Sequence, residues 1–478
     1  MLKRLTIIHL NSMEKPANHN SSLATLTSLF FMWGFITCMN DILIPHLKEL
    51  FQLTYVKAML VQFCFFGAYF TGSVIYFIIS YYKTDPINKI GYKNGILLGL
   101  FISALGCLLF YPAAALSLYG LFLAAFFILG LGFTVLQIAA NPYVSLLGSE
   151  ETASSRLNLV QAFNSFGTTI APVIGGYFIF EFFAKDGNLS PDSTKLPYLV
   201  FAGLFLLLAL FIYKAKLPKF STEETEQRGL GALKFPQLKL GIFGIFFYVG
   251  AEVAIGSFMI SFLGQEQIGG FTEAVAKNYL ALYWGGAMIG RFLGAVALNN
   301  ALSASKKAGY MVGIAVVIFL LIFSIVNLSF QQISTFIIFI VLNLIAFFVG
   351  RSAAARTLVI FALINVILLL TAVFNTGSVA MWALLSIGLF NSVMWSNIFT
   401  LSISGLGKYT SQGSSLLVMA ILGGALIPLI QGGIADLFGV QVSLILPLVC
   451  YLYIAYFGYF CSKQITGTVE VGRGSVGH

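Results

Sequence analysis

The run KAKLPKFSTEETEQRGLGALKFPQLK, Lys214–Lys239, decides how the chain is read. It is polar and charged, holds two prolines, and cannot sit in lipid, where backbone N–H and C=O groups have no water to bond. Outside it the sequence is apolar: the 478 residues are 59% hydrophobic and only 9% charged, with a mean hydropathy of +0.93. Apolar runs of about 20 residues, long enough as helix to cross a ~30 Å hydrocarbon core, recur on both sides of it. The sequence therefore predicts an all-α integral membrane protein whose two parts are joined by an extramembrane linker.

Six spans are expected before the linker, at 24–47, 57–81, 94–112, 117–147, 157–182 and 196–213. Eight follow it, at 241–263, 279–301, 308–327, 334–350, 357–373, 378–404, 413–435 and 440–461. This predicts fourteen spans, divided into residues 1–213, a linker at 214–240, and residues 241–478. Weak internal repeats bear on the uneven split. FFxxG at Phe30–Gly34 returns at Phe246–Gly250, an offset of 216, and PVIGG at Pro172–Gly176 returns as PLIQGG at Pro428–Gly433, an offset of 256. Two six-span halves with roughly 40 extra residues in the second fit both offsets. The excess is a two-span hairpin at about 308–350, between Lys306/Lys307 and Arg351.

The net charge of +9 lies in short loops, so it reports topology rather than nucleic-acid binding. Twenty of the 26 Lys and Arg residues fall on the side of the N-terminus and linker, five on the other, and Arg291 is left inside a span. Both termini are therefore expected in the cytoplasm, in a bacterial inner membrane. Lys3 and Arg4 precede only a brief apolar run with no small-residue cleavage site, so a removed signal peptide is not expected. Five cysteines without CxxC spacing and four histidines point to neither disulfides nor a metal or haem site, and no cofactor is expected. The run SGLGK, Ser404–Lys408, lacks the first glycine of a phosphate-binding loop. With no hydrolase or metalloprotease motif either, the chain reads as a non-enzyme driven by a gradient.

Of seventeen acidic residues, Asp41 and Glu252 fall well inside spans. A carboxylate at a helix centre costs roughly 2.5–3.5 kcal/mol on insertion scales, so each is a candidate for ion coupling, the alternative being a structural hydrogen bond between helices. In the fourth span Gln137 and Asn141 stand four apart on one helical face. In the fifth, Asn158, Gln161, Asn164 and Thr168 form a stripe. Amides suit sugar hydroxyls because each offers donor and acceptor, although they also join helices to one another. Asn391, Ser392, Trp395 and Asn397 supply a second polar and aromatic face, and Trp33, Trp284 and Trp395 are candidate stacking platforms for a pyranose ring. Paired glycines (Gly175/Gly176, Gly285/Gly286, Gly423/Gly424) are expected to let helices approach and slide.

Four blocks now combine: FFMWGFITCMNDILIPHL (Phe30–Leu47), AANPYVSLLG (Ala139–Gly148), RLNLVQAFNSFG (Arg156–Gly167) and the long run Gly388–Asp436. Together they resemble the fucose–proton symporter and glucose/galactose transporter family of the major facilitator superfamily. The resemblance implies a twelve-helix core of two bundles, a monosaccharide site between them, and alternating access by rocking. It implies that Asp41, with a glutamate ahead of the AANP block, handles a proton. Here that glutamate is Gln137, which cannot titrate. It carries Gln161 and Asn164 over as sugar-binding residues. A carboxylic acid held out of water can load and release a proton; alternatively Asp41, with oxygens of Gln137, Asn40 or Thr37, ligates sodium. The expectation is a monomeric importer of a glucose-, galactose- or fucose-like hexose, coupled to H+ rather than Na+. An uncoupled sugar facilitator, or a carrier of another small amphipathic solute on the same fold, is the alternative.

Overall fold

The computed structural model describes residues 20–53, 55–83, 85–177, 194–220, 231–326 and 328–473, apart from the side chains at 38, 40–46, 48–49, 55–59, 62, 172–177, 273–274, 277 and 464–473. Regular structure among them is helical throughout. Before the linker come α1 (Asn20–Leu50), α2 (Tyr55–Tyr82), the short α3 (Pro86–Ile90), α4 (Tyr92–Ala115), α5 (Tyr119–Leu146), α6 (Ala153–Tyr177) and α7 (Lys195–Lys214). After it come α8 (Pro236–Leu263), α9 (Glu273–Ala297), α10 (Ala304–Ile325), α11 (Phe330–Gly350), α12 (Ala354–Phe374), α13 (Gly377–Asn391), α14 (Met394–Ile403), α15 (Thr410–Met419), α16 (Gly423–Phe438), α17 (Val440–Ser443) and α18 (Ile445–Arg473).

Among the described residues, twelve helices are long and apolar enough to cross a membrane, with α13–α14, α15–α16 and α17–α18 each counted as one crossing. The sequence-based count of fourteen also takes in α1 and α6, which are not among those twelve. The large apolar side chains left exposed, such as Leu207 on α7 and Phe374 on α12, stand on the outer surface that lipid would cover.

Helix pairing repeats along the chain. Before the linker α1 packs on α6, α2 on α5, and α4 on both α5 and α7. After it α8 packs on α16, α9 on α13, and α12 on both α13 and α18. The two FFxxG glycines sit at corresponding crossings: a Cβ on Gly34 would stand 2.0 Å from the Asn164 carbonyl oxygen of α6, and one on Gly250 2.3 Å from Ile427 of α16. Only hydrogen fits in either place, so these glycines set how closely the helices cross. Among the described residues, no helix before the linker repeats the contacts of α10 and α11. This hairpin rests on α9, α12 and α13, held by Asn343, which donates to the Leu389 carbonyl at 3.1 Å.

Two expected single spans are broken. Helix 378–404 parts between Asn391 and Met394, and 413–435 is interrupted by a 3-10 turn at Ala420–Leu422. The first break leaves two carbonyls beside tertiary partners: Tyr248 Oη, whose one proton the Asn391 oxygen at 3.1 Å shares with the Glu252 carboxylate at 2.8 Å, and Arg291 Nε, which donates to the Ser392 oxygen at 3.2 Å. Irregular backbone at this depth persists only where neighbouring helices supply such partners.

The described parts of the polar linker, 214–220 and 231–239, pack at one end of the helices. Lys93 Nζ donates to the carbonyls of Tyr213 and Ala215, Tyr143 Oη to that of Pro218, and the Ala232 amide to Gln412 Oε1. At the same end the two helix sets meet directly. Asn88 Nδ2 donates to the Lys408 carbonyl at 2.9 Å, Ser411 Oγ to Tyr92 Oη at 3.2 Å, and the Ser154 and Thr400 hydroxyls lie 2.6 Å apart. Asp85 caps α3 there, accepting from the Ile87 and Asn88 amides and from Tyr76 Oη. Burial pushes its carboxyl above the ordinary value, an effect those hydrogen bonds partly offset.

Candidate functional site

A cavity of about 170 Å3 lies between the two helix sets. That is well below the roughly 300–1,000 Å3 of drug-sized sites, and suits a small solute. The first set contributes Trp33 from α1, Gln137 from α5, and Gln161 and Asn164 from α6. The second contributes Glu252 from α8, Arg291 from α9, and Trp395 and Ser396 from α14, with Val249 and Ile421 as apolar wall.

Each polar group is held in a definable way. Asn164 Nδ2 donates to the Phe30 carbonyl on α1 at 3.0 Å, so this amide joins helices through its nitrogen while Oδ1 has no partner among the described residues. Gln161 likewise has no side-chain partner among them. Gln137 is buried and bonded to the Tyr69 hydroxyl, which also engages Trp33. Trp33 packs against Phe30 and Phe133, and Trp395 stacks on Phe399 at 5.1 Å with rings 14° apart. Two indoles, one from each set, are thus fixed at the cavity wall.

The two charges compensate. Arg291 Nη2 lies 3.7 Å from Glu252 Oε1, and both side chains are largely buried, at 15% and 13% exposed. Tyr248 Oη is 2.8 Å from the same carboxylate oxygen, and the Tyr283 hydroxyl donates to the Glu252 backbone carbonyl. Arg291 also donates Nη1 to Ser165 Oγ on α6, so one guanidinium touches both helix sets and the broken helix. A Cβ on Gly290 would fall 2.1 Å from Ser392 Oγ; this close approach of α9 to the break lets the neighbouring Arg291 reach the Ser392 carbonyl. The lining described is therefore neutral overall, rich in amides, and flanked by indoles.

Not every sequence candidate reaches this cavity. Asn391 is fully buried within the second set: its Nδ2 donates to Tyr283 Oη, and its Oδ1 accepts from Tyr451 Oη and Asn365 Nδ2. Asn158 and Asn397 face each other across the two sets at 3.4 Å, beyond the cavity lining. Asn141 is buried one turn from Gln137 with both amide atoms unpartnered among the described residues. Trp284 is 41% exposed, sits edge-on to Tyr283, and lies outside the lining. The side chains of Asn40 and Asp41 lie outside the described residues. Conversely, Arg291, Tyr69, Tyr248 and Ser396 belong to the site or its support without being sequence candidates. A lone cation inside an apolar run is the signal that marks Arg291; nothing in the local sequence marks the other three. Among the described residues no group of three His, Cys, Asp or Glu side chains is placed to hold a metal ion.

A helical membrane fold built on paired crossings, with a polar cavity between two helix sets, is the architecture of a transporter. Residues 23–357 match the Major Facilitator Superfamily. The chain is 43% identical to a glucose/galactose transporter of Brucella abortus, covering 94% of this chain and 95% of that protein. It is 31% identical to the L-fucose-proton symporter of Escherichia coli, covering 95% and 97%. Among solved structures it is similar to a major facilitator superfamily transporter, FucP, in the outward conformation, with a TM-score of 0.73 and 30% identity, covering 92% of this chain and 98% of that one. The chain belongs to the major facilitator superfamily, in the family of these glucose/galactose transporters and fucose–proton symporters. These relatives are named as transporters, not enzymes.

Proposed function

We propose that the protein imports a neutral monosaccharide, a glucose-, galactose- or fucose-like hexose, by cation symport with H+ as the coupling ion. The observation that carries this is the lining of the cavity: amides from Gln137, Gln161 and Asn164, the Ser396 hydroxyl, two indoles, and one carboxylate compensated by one guanidinium. A charged substrate would meet no net opposite charge there, and a purely apolar one would strand the amides. A polyol fits, its hydroxyls exchanging bonds with amides and its C–H face lying on an indole. The printed names of the relatives, glucose/galactose transporter and L-fucose-proton symporter, support the same substrate class. Gln137 in place of a carboxylate leaves Asp41 as the proton carrier and Glu252, paired with Arg291, as the second ionisable group of the pathway.

The repeated helix pairing supports two six-helix bundles, residues 1–213 and 241–478, joined by 214–240. On this reading α10–α11, about 308–350, is an inserted hairpin and the chain crosses the membrane fourteen times. The linker end is cytoplasmic, with both termini on that side of a bacterial inner membrane, and the direct contacts between the sets there close the cavity toward the cytoplasm. The working unit is a monomer.

Two substitutions test the substrate role. Gln161→Ala should weaken hexose binding by about 1–3 kcal/mol, or roughly 5–150-fold, with thermal stability unchanged, because the amide has no protein partner to lose. Asn164→Ala should weaken binding similarly and also lower Tm, since it removes the hydrogen bond that ties α6 to the Phe30 carbonyl of α1. Binding isotherms that match wild type in both variants would return the amides to helix packing.

A further inference from the structure

The linker end of α9–α12 gathers cations without carboxylates. From Ala274 to Ala435 the sequence contains no Asp or Glu, yet Lys306 and Lys307 open α10, and Arg351 and Arg356 flank the turn into α12. Lys307 is only 9% exposed. Its Nζ donates to the Ala297 carbonyl at 3.1 Å and to Ser352 Oγ, both neutral. A buried ammonium without a counter-charge is unfavourable, and two neutral acceptors leave its third N–H and its whole charge for an anion. Arg351 and Arg356 are exposed and make no side-chain bond to any described residue.

Two neighbouring grooves meet at these cations. One, of about 260 Å3, holds Lys307 and Arg351 beside Met311 and Phe347. The other, of about 570 Å3, runs from Arg351 and Arg356 along Ile345, Phe348 and Val349. Phe348 and Arg351 border both. The three apolar residues are exposed on the outer face of α11, so the larger groove opens toward lipid, with its charges at the helix ends, at headgroup level. The turn between them is shaped: Arg351 and Ser352 both take the left-handed conformation, at φ 47° and 58°, which non-glycine residues rarely adopt. The Lys307–Ser352 bond ties that turn to α10.

We propose that this groove is a binding site for an anionic phospholipid. Its phosphate lies on Lys307, Arg351 and Arg356, and an acyl chain runs along Ile345, Phe348 and Val349. Basic pockets at the cytoplasmic ends of transmembrane helices recognise headgroups by this combination of charge and apolar wall. A free phosphate would satisfy the cations but leave the apolar groove uncovered. The inference rests on the membrane-spanning reading and not on the sugar or the coupling ion.

Native mass spectrometry of the purified full chain tests it, with phosphatidylglycerol and phosphatidylcholine of identical acyl chains offered as probes. The wild type is expected to retain phosphatidylglycerol at least about tenfold better, in the presence of millimolar inorganic phosphate. Arg351→Gln with Arg356→Gln should bring the two lipids to within about twofold at unchanged Tm, since both side chains are exposed. Equal retention by the wild type, a preference that survives the double substitution, or displacement of the lipid by inorganic phosphate would each overturn the proposal. Hexose counterflow of the double variant in phosphatidylcholine vesicles should match wild type, so failure here and failure of the transport reading are seen in separate assays.

Discussion

Arg291→Gln is expected to bring uptake to background and to destabilise the protein by about 3–5 kcal/mol, the usual cost of removing one partner from a buried ion pair. The guanidinium does three things at once. It compensates Glu252 at 3.7 Å, satisfies the Ser392 carbonyl at the broken helix, and reaches Ser165 on the other helix set. Removing it leaves a carboxylate stranded beside the cavity. Glu252→Gln in the same chain removes the stranded charge, so the double variant should recover much of the lost Tm. The coupling between the two substitutions then measures the pair itself. Detergent-solubilised protein melted in all four forms reads this out; a wild-type Tm for Arg291→Gln alone would show that the two groups do not depend on each other.

Asp41→Asn is expected to abolish accumulation while leaving exchange of hexose intact. Asp41 stands two helical turns along α1 from Trp33, the α1 residue at the cavity wall. Exchange requires the substrate site and the rocking motion but no net release of the coupling ion. A symporter moving one positive charge gains about 2.3 kcal/mol per 100 mV, enough for roughly 50-fold accumulation. The variant should stop at the equilibrium concentration at the same imposed potential, yet still exchange labelled for unlabelled sugar. Accumulation above equilibrium in Asp41→Asn would make that carboxylate structural.

Much of the architecture is legible in composition, because hydropathy over about 20 residues responds to a single strong constraint, the thickness of the bilayer. The polar run at 214–239 and the apolar runs around it report that constraint directly. The breaks at Asn391–Met394 and Ala420–Leu422 do not appear there: 378–404 holds no proline, Pro428 lies beyond the 3-10 turn within 413–435, and both segments remain apolar enough to read as continuous spans. What breaks the first is tertiary: Tyr248 and Arg291, distant in sequence, accept the role of helix partners.

The same limit governs the site. Periodicity assigns residues to a face of their own helix, and so it groups Asn158, Gln161, Asn164 and Thr168 correctly as a stripe. It cannot say what each part of the stripe meets. Asn158 meets Asn397 of the other set, Thr168 bonds back to the Asn164 carbonyl, and only Gln161 and Asn164 reach the cavity. Asn391 fails for a related reason. Three side chains from other helices, Tyr283, Asn365 and Tyr451, engage its amide, and their convergence is visible only once those helices are packed.

The most direct test of gradient-driven hexose transport uses proteoliposomes containing the purified protein. Initial uptake of labelled glucose, galactose and fucose is measured with an inward proton gradient, an inward sodium gradient, and no gradient, alongside counterflow. Counterflow of at least one hexose, and its accumulation under the proton gradient alone, are expected. No exchange of any hexose, or uptake of one that is indifferent to the proton gradient, would contradict gradient-driven transport.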